Sequence, residues 1–468
     1  MKRRTILSFG TISSVIATAA LLVGASGIAS AAPISYNEYP TPTSFSGPYD
    51  IAPGPNGTLW FTESQTNKIG EISTNGTITE FTIPTSSSIP RGIVEGPDHN
   101  IWFTEIAGNK IGEVNTTTNA VTDYAITSPT SNPEDITVGS NGNLWFTEYA
   151  TNKIGEFNPT THAMVNEFAA PGGVYGIVGG PDNNLWYTEN NTNDLGTMNM
   201  SGTVLHNYPT GDTNYPQSIT VGPDNNLWAT EQPSSGNAAN IIKMTTGGVA
   251  TTYAVPSSPG IGYGITAGPD GNLWFVNQGN NTLARITTAG VVTEFGLNTN
   301  VTPQDVALGS DNNLWIAENG TNNIARVNVT ADPGAVGQAV TVSVNTATII
   351  DTLTGATGNF SAGSVTIVTA PSHGLASVNA TTGNITYTPD NGYNGTDSLT
   401  YSVCSLLDPT SCTQETINLN VGHVTSATPD TGYGSRGSNT ALIAATLGVG
   451  VMAILIGAWL LKRHAKRS

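Results

Sequence analysis

One phrase of ten residues returns along the chain: GPNGTLWFTE at Gly54, GPDHNIWFTE at Gly96, GSNGNLWFTE at Gly139, GPDNNLWYTE at Gly180, GPDNNLWATE at Gly222, GPDGNLWFVN at Gly268 and GSDNNLWIAE at Gly309. Its tryptophans, Trp60, Trp102, Trp145, Trp186, Trp228, Trp274 and Trp315, stand 41 to 46 residues apart. Units of this length stack because none can bury its apolar face alone, and about 40–45 residues is the length of a four-stranded propeller blade. Within a unit, a short apolar piece such as Arg91-Gly92-Ile93-Val94 precedes a Gly-Pro-Asp-Asn type turn, and the Trp segment follows with the period of two of a strand. A third strand follows a polar turn at Asn67 to Gly70, Asn109 to Gly112 and Asn152 to Gly155, and a fourth reads like Thr77-Ile78-Thr79-Glu80-Phe81.

The sequence therefore predicts an all-β chain whose residues 34–330 form a seven-bladed propeller. The seventh unit ends near Val329 with three strands, while Ile34-Ser35-Tyr36-Asn37-Glu38-Tyr39 looks like an orphan fourth strand. The N-terminal strand is expected to complete the last blade and hide the open edges. Every tryptophan holds the same place on its second strand, which is the pattern of packing between blades.

The two ends carry address signals. Lys2, Arg3 and Arg4 precede an apolar stretch and then Ala29-Ser30-Ala31, which reads as a signal peptide over residues 1–31. Residues 441–461 form an uncharged stretch long enough to cross a bilayer as a transmembrane helix, followed by a basic cytoplasmic tail over 462–468. The body between them is expected outside the cell, anchored at its surface. Within the linker 423–440, Thr428-Pro429-Asp430-Thr431-Gly432 resembles the sortase signal LPxTG of Gram-positive cell-wall proteins, with Thr428 in place of Leu. That resemblance implies cleavage between Thr431 and Gly432 and a sortase as partner; a plain membrane anchor fits the segment as well.

Of 15 Lys and Arg, eight lie in the signal peptide, linker and tail, leaving seven in the body, where nearly all of the 33 acids also lie. Such a body repels nucleic acid and anionic lipid. Cys404 and Cys412 are the chain's two cysteines and, in an exported protein, read as a hairpin disulfide. They lie in a second β-rich region, residues 338–422, expected to be a small β-sandwich. There Ile385-Thr386-Tyr387-Thr388-Pro389-Asp390 and Gly395-Thr396-Asp397-Ser398-Leu399-Thr400-Tyr401 resemble bacterial Ig-like and cadherin-like repeats. Cadherin-like domains bind Ca²⁺ through Asp, as Asp390 and Asp397 could; turn formation is the more ordinary role for such residues.

The repeat units resemble the virginiamycin B lyase family, streptogramin-opening propellers, over about residues 34–329. The resemblance implies an elimination that opens an ester-closed ring, histidines in Pro-His-Gly/Ala-Ile blade starts, and a Mg²⁺ held by glutamates. The matching positions here, each 11 residues before a blade tryptophan, are Tyr49, Arg91, Glu134, Tyr175, Gln217, Tyr263 and Gln304, and none is histidine. His99, His162, His206, His373 and His423 fall in turns, outer strands or beyond the propeller.

In a regular hairpin those seven positions approach the second-strand ends Glu63, Glu105, Glu148, Glu189, Glu231, Asn277 and Glu318. Together they are expected to ring the channel mouth as a ligand-binding rim, with Asp50, Asp135 and Asp305 adding negative charge. Carboxylates suit Mg²⁺ or Ca²⁺, which makes Glu134, Glu148 and Glu105 candidate metal ligands. A repeated strand-end glutamate also serves as a purely structural device. The function expected from these residues is a surface-anchored propeller that binds or adheres to an extracellular small molecule, peptide or glycan. A Mg²⁺-dependent lyase using Glu134 or a tyrosine as base is the alternative, and a structural envelope component is a third.

Overall fold

The computed structural model describes residues 32–422 apart from 35, 235–237, 258–261, 330–333, 357–359 and 408–410. The signal peptide, His423, the linker with its sortase-like motif and the residue 441–461 segment lie outside the described residues.

Each repeat unit folds as an antiparallel sheet. In the first blade, Pro48–Pro53 lies innermost, followed outward by Leu59–Glu63, Lys68–Ile72 and Ile78–Thr82. Seven sheets share this plan among the described residues. Their inner strands neighbour one another in sequence order, and Pro303–Leu308 of the last sheet returns to Pro48–Pro53 of the first. This is a β-propeller. Its closing strand is Asn37–Pro40, which pairs antiparallel with Asn323–Val327, Tyr39 opposite Ile324. A further strand absent from the sequence reading, Ala32–Pro33, runs parallel to Val292–Gly296 at the edge of the sixth sheet.

Two repeated contacts explain the phrase from which the fold was read. Each tryptophan stacks on an aromatic ring of the fourth strand, from Trp60 on Phe81 to Trp315 on Tyr39, with centroids 5.3 to 5.8 Å apart. The Trp315–Tyr39 stack seals the ring with the N-terminal strand. Each indole N–H also donates to a side-chain oxygen of the preceding turn, as Trp186 Nε1 does to Asp182 at 3.1 Å. Glycine opens that turn because a Cβ on Gly180 would lie 2.3 Å from the Trp186 ring. The tryptophans are buried to 2 % exposure or less, so they are core residues.

Residues 338–422 build two facing sheets. One has the order Gln338–Ser343, Cys412–Gly422, Gly395–Cys404, Thr366–Thr369; the other has Thr348–Ile350, Ile385–Pro389, Gly374–Val378. Val342, Ile385, Tyr387, Leu399, Tyr401, Ile417 and Leu419 fill the space between them. Asp397 accepts hydrogen bonds from the Ser372, His373 and Ser398 backbone N–H groups and from the Tyr387 hydroxyl. Its carboxylate is thereby committed to holding this sandwich together. Cys404 and Cys412 are joined at the end of the long hairpin. Just beyond Cys404, Leu407 enters the apolar cluster around Trp274 and Trp315's neighbour Leu314, and its carbonyl accepts from Arg285 Nη1. One loop of the sandwich thus contacts the propeller.

Candidate functional site at the channel mouth

The inner strands reach the axis through a repeated bulge. In the first blade the pairing of Pro48 with Glu63 and of Ile51 with Phe61 leaves Tyr49 and Asp50 as the irregular step, and the other blades are interrupted at the same place. A bulge re-aims the side chains it contains. Side chains of neighbouring blades hold it in place. Thr104, Thr147, Thr188 and Thr230, on the second strands, accept from their own blade's bulge N–H. They donate to the carbonyls of Glu134, Tyr175, Gln217 and Tyr263 on the following blades at 2.7 to 2.8 Å. Left-handed asparagines complete the frame: Asn67 (φ 61°) and Asn109 (φ 53°) each accept from a serine N–H in the loop that leads to the next inner strand.

The result is a cavity of about 80 Å³, open to solvent, lined by Tyr49, Asp50, Gly92, Glu134, Asp135, Tyr175, Gly176, Ser218, Tyr263, Gly264, Gln304 and Asp305. Five of the seven rim candidates line it. Arg91 joins them by lying over the Tyr49 ring, its guanidinium carbon 3.8 Å from the ring centroid. Gln217 is buried and turned toward Gln232 and the Tyr215 carbonyl, so it is not a rim residue.

The strand-end glutamates do not ring the mouth. Because of the bulge, Glu63, Glu105, Glu148, Glu189, Glu231 and Glu318 lie opposite a residue that precedes the rim position, and all six are fully buried away from the cavity. Glu63, Glu148, Glu189 and Glu318 accept from the threonine hydroxyl three residues on, closing the turn to the third strand. The repeated glutamate is a structural device.

Asp50, Asp135 and Asp305 do line the cavity, but their oxygens are engaged. Asp50 accepts from the N–H groups of Ile51 and Ile93, and Asp135 from those of Ile136 and Ile177, each bridging two blades. Asp305 accepts from Ile51 N–H across the closing seam. Gly264 permits this approach, since a Cβ there would meet Asp305 Oδ1 at 1.7 Å. Burial raises the pKa of Asp50 well above the usual carboxylate range, with the neighbouring Asp305 carboxylate adding to it; Asp305 is also raised by burial. Burial pushes Asp135 up to about 7, with Asp50 adding to the shift.

A Mg²⁺ or Ca²⁺ does not fit these residues. Among the described residues no group of three or more His, Cys, Asp or Glu is placed to hold a metal. Of the proposed ligands Glu134, Glu148 and Glu105, only Glu134 reaches the cavity, because the bulge separates it from the other two. The described histidines are also elsewhere: His99 bonds Glu95 on a turn, His162 stacks on Tyr124, His206 packs by Tyr208 and His373 on Tyr393.

The cavity's chemistry is that of unequal neighbours. Tyr49 and Tyr175 share a hydroxyl hydrogen bond of 3.1 Å. Burial raises the pKa of Tyr49 to about 12 and moves Tyr175 and Tyr263 upward too, which keeps all three phenols neutral donors. Burial lifts Glu134 to about 7, opposed by Arg91. Six of the body's seven basic side chains are ion-paired: Lys68 with Glu80, Lys110 with Asp123, Lys153 with Glu167, Lys243 with Asp224, Arg285 with Asp270 and Arg326 with Asp311, at 2.6 to 3.8 Å. Arg91 is the exception among the described residues.

Known proteins share this architecture. A streptogramin B lyase is similar at 32% identity and a TM-score of 0.59, over 63% of this chain and 97% of that one. The virginiamycin B lyase of Staphylococcus aureus is similar at 30% identity and a TM-score of 0.58, over 63% and 98%. A hydrazine synthase of Kuenenia stuttgartiensis, at 15% identity and a TM-score of 0.52 over 62% and 98%, shares the fold alone. The bacterial Ig domain family matches residues 323–422, the region of the two-sheet sandwich. The virginiamycin B lyase family matches residues 30–172 and 115–336, which together span the propeller, and this chain belongs to that family.

Proposed function

We propose that this chain is a seven-bladed, exported propeller, held at the cell surface by its C-terminal segment, that binds an extracellular small molecule, peptide or glycan at its channel mouth. One observation carries the reading: seven equivalent first-strand positions, bulged toward one axis, differ in residue type and include no imidazole. A ring-opening elimination of the kind the family resemblance implies needs a general base within reach of the substrate. The family resemblance implies histidines at two of the blade starts, and the blade-start positions here hold Tyr49, Arg91, Glu134, Tyr175, Gln217, Tyr263 and Gln304. Binding uses the walls these residues leave: phenol donors, an aromatic face and two opposite charges.

The test is isothermal titration of the purified full chain with Mg²⁺ and Ca²⁺, then with glycans, short peptides, amino acids and streptogramins. The expected result is saturable binding of an organic ligand, lost in Tyr175→Ala, with no consumption of streptogramin and no saturable metal uptake. Streptogramin consumption would replace this reading with a lyase. Absence of any ligand would leave a structural envelope component.

A second reading rests on Glu134. A carboxylate lifted to about 7 inside the cavity is matched to proton abstraction near neutral pH, and the neutral tyrosines could protonate a leaving oxygen. On this reading the chain eliminates or hydrolyses an extracellular substrate without the family's histidines, and turnover disappears in Glu134→Gln.

A further inference from the structure

Arg91 and Glu134 stand on the inner strands of adjacent blades, and the side chain of neither makes a hydrogen bond among the described residues. Stacking on Tyr49 satisfies the face of the guanidinium but not its N–H edge, and Arg91 Nε is buried with no acceptor. A buried donor left this way costs free energy until something occupies it. Glu134 feels Arg91 electrostatically, yet the two do not meet as an ion pair, although every other basic side chain of the body has found a carboxylate. The aspartates that share the cavity are engaged with backbone N–H groups and offer little to a ligand. The open functionality is therefore one cationic fork, one carboxyl group and neutral phenols, set in an aromatic wall where Tyr149 packs edge-on against Tyr175 at 6.2 Å.

Opposite charges that stand on adjacent inner strands without touching, one lining the cavity and the other stacked on its Tyr49 wall, are complementary to a head group carrying both signs. A planar fork suits a carboxylate in a bidentate pair, and a carboxyl group suits an ammonium. We infer that the channel mouth binds a free α-amino acid with an aromatic side chain, its carboxylate on Arg91, its ammonium on Glu134 and its ring among the tyrosines. This rests on the reading of the channel mouth as the binding site and gives that site a ligand class.

The experiment is calorimetric titration of the full chain with L-phenylalanine, L-phenylalaninamide and N-acetyl-L-phenylalanine. The free amino acid is expected to bind at least ten-fold tighter than either derivative, because each derivative leaves one charged group unmatched. Binding is expected to vanish in Arg91→Gln, to survive in part in Arg91→Lys and to weaken in Glu134→Gln, with thermal midpoints by tryptophan fluorescence checking that each variant is folded. If Arg91→Gln does not fold, the three-ligand comparison on the unaltered chain still decides. Equal affinity for the three ligands, or no binding of L-phenylalanine, overturns the inference. A different ligand that is lost in Tyr175→Ala but indifferent to Arg91→Gln also overturns it while leaving the channel reading intact; a ligand indifferent to both substitutions removes both.

Discussion

The turn between the first and second strands and the mouth at the other end of those strands are repeated equally often, but they have diverged unequally. At the turn, a glycine, a carboxylate or amide and an indole N–H fit together in nearly the same way in blade after blade, as in Gly180, Asp182 and Trp186. Near the mouth, the equivalent positions carry three tyrosines, an arginine, a glutamate and two glutamines, of which Gln217 is turned away from the cavity. Where the same contact recurs, every blade needs the same residues, and repetition marks structure. Where the repeat breaks and polar groups are left unpaired, packing no longer explains the choice of residue.

The sharpest way to break this comparison is at the turn. Trp186→Ala removes a fully buried ring and its stack on Tyr208, and is expected to cost about 3–5 kcal/mol in urea unfolding. A loss under about 1 kcal/mol would mean that the repeated indole is not core. A smaller effect follows from the buried glutamates. Burial pushes Glu63, Glu148 and Glu189 up to about 7 and Glu105, Glu231 and Glu318 to about 8. In the unfolded chain glutamate titrates near about 4.3. Between that pH and about 8 the folded state therefore keeps protons that the unfolded state has released, and stability falls as pH rises. The thermal midpoint is expected to drop from about pH 5 to about pH 8; a flat or rising profile would show that these carboxyls are charged when folded. The smallest effect belongs to the mouth. Arg91→Gln makes no ion pair worse and is expected to change stability by less than about 0.5 kcal/mol while removing binding. A large destabilisation there would make Arg91 another structural residue.

How far the sequence could be read follows the same division. The strands follow from local period, the packing role of the tryptophans from their recurrence, and the N-terminal closure from counting strands in the seventh unit, so each was legible along the chain. The regular-hairpin assumption failed at the bulge. One extra residue in each first strand turned the glutamates inward and away from the axis, brought Asp50, Asp135 and Asp305 onto backbone N–H groups, and left Gln217 buried beside Gln232. No local pattern announced that bulge, because its cause is the meeting of neighbouring blades. The docking of Leu407 on the propeller was likewise unreadable, being a contact between residues 122 positions apart at Arg285.

By itself the sequence determined that this chain is all-β and that its units repeat as blades, since these depend on residue identity and spacing along the chain. Only the tertiary structure decided which of the many carboxylates face the cavity and which basic side chain is left without one. Pairing of charges is a matter of distance across blades, and distance across blades is set by how the sheets close around their axis.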